Sequence, residues 1–123
     1  MEKNVVNWFE IPVKDMARAK DFYKSLFGFD LADMEMPNMQ LASFPMIQGG
    51  EFATGALVKA EGYEPNTTGT TVYFTCENLS EQLEAVEKLG GKICTPKTSI
   101  GEYGFIAHII DSEGNRVALH SVK

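Results

Sequence analysis

The sequence predicts an α+β fold made of two strand–helix–strand–strand–strand units, with the helices covering one side of a curved sheet. Two observations carry this reading. The pattern of one β-rich segment, one capped amphipathic helix and three further β-rich segments occurs twice in 123 residues, a length suited to a single domain over 1–123. The two occurrences also keep a fixed offset. Asp15 matches Asn78, Leu26 matches Leu89 and Gly28 matches Gly91, each pair 63 positions apart (78 − 15, 89 − 26, 91 − 28). The units run over about 4–60 and about 70–121. Neither buries both faces of its own sheet, so pairing them is the way to one core.

Val5 to Val13 alternates and is rich in β-formers, which predicts the first strand. Asp15 then stands at a helix N-cap, and Ala19, Phe22, Tyr23, Leu26 and Phe27 recur at helical spacing. Gly28 supplies the left-handed residue on which such a helix ends. Three weaker strand signals follow near 29–34, 39–45 and 53–60, punctuated by Pro37, Pro45 and Gly49-Gly50. The polar stretch EGYEPNTTG, Glu61 to Gly69, reads as a connector. A strand over Thr70–Cys76 opens the second unit, and Asn78 caps its helix with Glu81 at capping-box spacing. Leu79, Leu83, Val86 and Leu89 form the apolar stripe before Gly90-Gly91 ends that helix, and strands at about 92–95, 103–110 and 115–121 complete the chain.

Composition narrows the function. Apolar residues make up 44% and charged residues 23%, ordinary for a soluble globular protein. No apolar run is long enough to span a membrane. The net charge of −6, with no basic stripe, argues against nucleic acid and leaves small molecules, cationic ones especially, as natural partners. The segment MEKNVVNWF lacks the apolar stretch of a secretory signal, so a cytoplasmic location is expected. Cys76 and Cys94 form no C-x-x-C and are expected to be reduced, buried thiols.

Alternation then sorts the faces. Phe9, Ile11 and Val13 share one side, as do Val72, Phe74 and Cys76, and as do Val117 and Leu119; these sets belong under the helices. The opposite sides carry Trp8, Glu10 and Pro12, then Thr71, Tyr73 and Thr75, then Ala118 and His120. A face that mixes Trp, Glu, Tyr and His reads as the lining of a cleft. The turn DSEGN decides the place of His108. A type I turn with Gly114 left-handed pairs Asp111 with Asn115, which sets 108 against 118 and 106 against 120. Both histidines then face the cleft, unless a bulge at the turn shifts the register by one.

The segments WFEIPVKDMARAKDFYKSLFGF and GFIAHIIDSEGNRVALH, together with the repeat, make the chain resemble the vicinal oxygen chelate superfamily, which includes glyoxalase I, bleomycin-resistance proteins and extradiol dioxygenases. The resemblance covers nearly the whole chain. It implies paired βαβββ modules forming a U-shaped mixed sheet around a ligand cleft, often in a homodimer. It also implies metal ligands on the first and fourth strands of each module. Here those positions fall on Trp8, Thr71, Ala118 and a residue near Gly55, none of them a credible ligand for a divalent ion.

One layer further along lie Glu10, Tyr73 and His120, with His108 opposite. A carboxylate and two imidazoles suit a divalent metal (Zn, Fe, Mn or Ni) held by Glu10, His108 and His120. They suit equally a metal-free acid–base set of Glu10, His120 and Tyr73, with Trp8, Thr71 and His108 contacting substrate. The plainer alternative is that inward His and Glu only bond each other and stabilise the fold. Two function classes follow. One is a glyoxalase-like lyase or isomerase acting on a small oxygenated metabolite. The other is a metal-free protein that binds and sequesters a small molecule, as bleomycin-resistance proteins do.

Overall fold

The computed structural model describes residues 2–123. Its elements are β1 (Trp8–Pro12), α1 (Met16–Phe27), β2 (Ala32–Met36), β3 (Met39–Ser43), β4 (Thr54–Lys59), β5 (Tyr73–Thr75), α2 (Leu79–Val86), β6 (Lys92–Ser99), β7 (Phe105–Ile110) and β8 (Arg116–Ser121), with a short 3₁₀ turn at Gly101–Tyr103. The strands form two four-stranded sheets, ordered β1-β4-β3-β2 and β5-β8-β7-β6. In each, the first strand of the unit runs parallel to the fourth and the other pairings are antiparallel. Two βαβββ modules are thus present.

Local chemistry explains the helices. The Asp15 carboxylate accepts from the Arg18 N–H at 3.0 Å, Gly28 closes α1 at φ 80°, and α1 buries Ala19, Phe22, Tyr23 and Leu26. Asn78 caps α2, but its side chain accepts from the Ser80 N–H at 3.0 Å and not from Glu81. The Glu81 N–H goes instead to the Asn78 carbonyl at 3.1 Å, so the expected capping box is not formed, and the Lys97 ammonium also donates to the Asn78 side-chain oxygen at 3.2 Å. α2 ends at Val86, short of Gly90-Gly91, because its last turn tightens: the Leu89 N–H is split between the Ala85 and Val86 carbonyls, both at 3.2 Å.

Several expected bounds shift. Val5 and Val6 precede β1 and are exposed, β5 is only three residues long, and β6 runs on to Ser99 through two register irregularities. Cys76 is buried, and burial pushes its thiol up to about 11. Cys94, on that irregular edge strand, is exposed, contrary to expectation.

One core serves both modules. Ile11, Leu57, Ile109 and Leu119 meet in it beneath the two helices. Phe74 of β5 reaches across to Phe9 (6.0 Å between ring centroids), Phe27 (5.0 Å) and Phe44 (5.5 Å) of the first module. The tip of the β7–β8 hairpin locks the modules together. Tyr23 donates its hydroxyl proton to the Asp111 carboxylate at 2.7 Å, and the Asn115 amide donates to the Pro12 carbonyl at 2.7 Å. The buried Glu113 carboxylate accepts from the backbone N–H of Lys14 (2.9 Å) and Asp15 (2.8 Å) and pairs with Arg18 at 2.7 Å. Among the described residues, no helix is long and apolar enough to cross a membrane.

Candidate functional site

The faces of the two sheets turned away from the helices carry the residues of interest. The hairpin register is the expected one: Asp111 N–H bonds the Asn115 carbonyl at 2.8 Å, His108 opposes Ala118 and Ile106 opposes His120. No bulge intervenes, so both histidines lie on the open face of the second sheet.

On the open face of the first sheet, Leu41, Ala56 and Val58 are buried beneath Trp8, Met34, Met39 and Tyr63. Glu10 stands exposed at this apolar layer. Its carboxylate accepts from the Tyr63 hydroxyl at 3.2 Å and from the Trp8 indole N–H at 3.4 Å. The Glu10 charge, then that hydrogen bond, raises the pKa of Tyr63. A groove of about 520 Å³ opens nearby, between Met36, Met39, Lys59, Tyr63 and Glu64, and neither histidine borders it.

The open face of the second sheet is polar. β5 pairs with β8 so that Tyr73 lies beside Ala118, which lies beside His108. With only a methyl group between them, Tyr73 and His108 meet: the Tyr73 hydroxyl is 3.1 Å from Nε2, and the rings sit edge to face at 5.6 Å. Arg116 donates its Nε–H to His108 Nδ1 at 3.0 Å. Burial, then the Arg116 charge, hold the His108 imidazole below its ordinary pKa. His120 Nε2 lies 2.6 Å from the Tyr103 carbonyl, tying the 3₁₀ turn to β8. Thr71 is half-buried just before β5.

The expected meeting of Glu10 with His108 and His120 is not what the side chains do. Glu10 is engaged by Tyr63 and Trp8, and His120 by Tyr103 in place of Glu10. Among the described residues no group of three or more His, Cys, Asp or Glu is placed to hold a metal ion. Glu10 belongs to one sheet and the histidines to the other, and among the described residues no ladder between the sheets sets their separation. The fourth ligand position also moves. Glu10 pairs with Ala56 and Tyr73 with Ala118, so the first strands differ by 63 (73 − 10) but the fourth strands by 62 (118 − 56). The counterpart of Ala118 is therefore Ala56; a side chain at Gly55 would point to the helix side and run into Phe9. With Trp8, Thr71, Ala56 and Ala118 at the four places, the donor set does not fit a divalent ion.

Three contributors escaped the sequence reading. Arg116 shares the parity of Ala118 and His120, and that alternation was signal enough to find it. Tyr63 sits in a connector and Tyr103 acts through its carbonyl, and neither leaves a pattern.

Residues 5–119 match a family profile described as Glyoxalase/Bleomycin resistance protein/Dioxygenase superfamily. The chain is 27% identical over 114 residues to the glyoxylase-named protein CFP32 of Mycobacterium tuberculosis, covering 92% of this chain and 44% of that protein. It thus spans about half the length of that relative. Its fold is similar to that of a glyoxalase I variant from Zea mays, with TM-score 0.70, 20% identity and coverage of 94% of this chain and 45% of the other. TnmS3, an antibiotic binding protein from Streptomyces sp. CB03234, is similar at TM-score 0.67 and 23% identity, with 98% of each chain covered. At these identities the two structures share a fold with this chain.

Proposed function

The chain belongs to the glyoxalase/bleomycin resistance protein/dioxygenase superfamily, and from that premise we propose that it is a metal-free protein that binds a small molecule against the open faces of its sheets. The observation that carries the reading is the state of the donors. The four positions where the resemblance puts metal ligands hold Trp8, Ala56, Thr71 and Ala118. One layer along, Glu10 accepts from Tyr63 and Trp8, and His108 Nδ1 accepts from Arg116, so each is directed at a neighbour beside its own sheet and not at a shared centre. What remains is an apolar face with Trp8 and one carboxylate, and a polar face with Tyr73 and two imidazoles, which suits recognition of a mixed apolar and polar ligand. A homodimer, checked by light scattering, belongs to the same proposal.

Elemental analysis of the protein after incubation with Zn²⁺ or Ni²⁺ and desalting tests it. Well under one ion per chain is expected. One ion per chain, lost in His120→Ala, would sink the metal-free reading. One observation favours a second reading, a glyoxalase-like lyase or isomerase acting on a small oxygenated metabolite with Glu10, Tyr73 and His120. His120 bonds only through Nε2 among the described residues, leaving Nδ1 as an unshared base.

A further inference from the structure

We propose that Tyr73 is the last donor of a preset hydrogen-bond chain, Arg116 to His108 to Tyr73, and that its hydroxyl proton receives an oxygen of the ligand that accepts without donating, such as a ketone carbonyl. The proposal rests on the small-molecule binding reading and names the chemistry of one contact in it.

The directions along the chain follow from what each group is able to do. A guanidinium has only donors and does not lose its proton, so the 3.0 Å contact runs from Arg116 Nε–H to a lone pair on His108 Nδ1. With Nδ1 accepting, the neutral ring carries its proton on Nε2. That proton lies toward the Tyr73 oxygen, 3.1 Å away, so Tyr73 accepts from His108 and does not donate to it. The phenolic proton then has no partner among the described residues. Donation into a hydroxyl oxygen makes its own O–H the stronger donor.

A purely structural role fits the setting less well. Tyr73 is 50% exposed, and a hydrogen bond in contact with water adds little to stability. The same exposure is what an incoming ligand needs. Ala118 and Ile106 lie beside the pair on the same face, apolar neighbours next to which the hydroxyl offers a polar group that fixes orientation.

The probes are 2-acetylnaphthalene and 2-ethylnaphthalene, which differ in one carbonyl oxygen, with wild-type protein and Tyr73→Phe. The wild type is expected to bind the ketone more tightly, with its carbonyl stretch moved to lower frequency. Tyr73→Phe is expected to lose the frequency shift and roughly tenfold in ketone affinity, the usual scale for one hydrogen bond, while binding the hydrocarbon unchanged. In ¹⁵N spectra at neutral pH, His108 is expected as the neutral Nε2–H tautomer. Equal binding of both probes by wild type and variant, with an unshifted stretch, would overturn the role of Tyr73 and leave the binding reading standing. Failure of both probes to bind at all would overturn both. An Nδ1–H tautomer or a charged ring at His108 would break the chain at its middle link.

Discussion

With a methyl group at position 118, Tyr73 and His108 close over β8; a longer side chain there would separate them. Single residues decide the chemistry of this face, and one buried carboxyl, Glu113, ties stability to pH. Burial alone would raise its pKa. The Arg18 guanidinium, the N–H groups of Asp15 and Lys14 and the Ser112 hydroxyl outweigh burial and bring it from 4.5 down to about 2. A carboxyl lowered on folding stabilises the fold above its unfolded value, and that stability is lost as pH falls through the folded one. Urea unfolding of the wild type should therefore lose on the order of 3 kcal/mol between pH 5 and pH 2 that Glu113→Gln does not lose. Parallel pH profiles for the two proteins would contradict this.

At the scale of elements, the β7–β8 hairpin was legible because turn chemistry fixes register. DSEGN dictated a left-handed Gly114, found at φ 99°, and from it the facing of both histidines. Nothing lies within 4 Å of a Cβ built there, so Gly114→Ala meets only the backbone penalty of a left-handed L-residue, about 1–2 kcal/mol in equilibrium unfolding. A loss under about 0.3 kcal/mol would show that the turn is not held in this form. Partners were less legible than faces. Alternation says on which side Glu10 and His120 lie, but their separation depends on how two sheets without a common ladder sit, and no pattern within either strand records that. The cap on α2 shows the same limit. Asn78 was readable as a cap, while the competition from Lys97 for its oxygen comes from a strand nineteen residues on (97 − 78).

At the scale of the whole molecule, the shared core and the locked hairpin tip make the modules interdependent. Trp8, the only tryptophan, reports on the first module, and far-ultraviolet circular dichroism reports on both helices. Their denaturant midpoints should coincide, as expected of a small two-state domain. A tryptophan transition separated from the dichroism transition would show that the modules unfold apart. The repeat was legible from its caps, and so was the sharing of one core. The step from 63 to 62 between the first and fourth strands was not, since it arises after the helices, where both turn and strand lengths differ between modules. That step limits how the halves exchange parts. A chimera that replaces β4 with β8 by aligning the helix caps would insert the strand one residue out of phase. Every side chain would then change sides: Val117 and Leu119 would turn to the open face, and Arg116 and His120 would enter the core under the helices. Crossovers placed within the turns, where the count is absorbed, keep each strand the right way up.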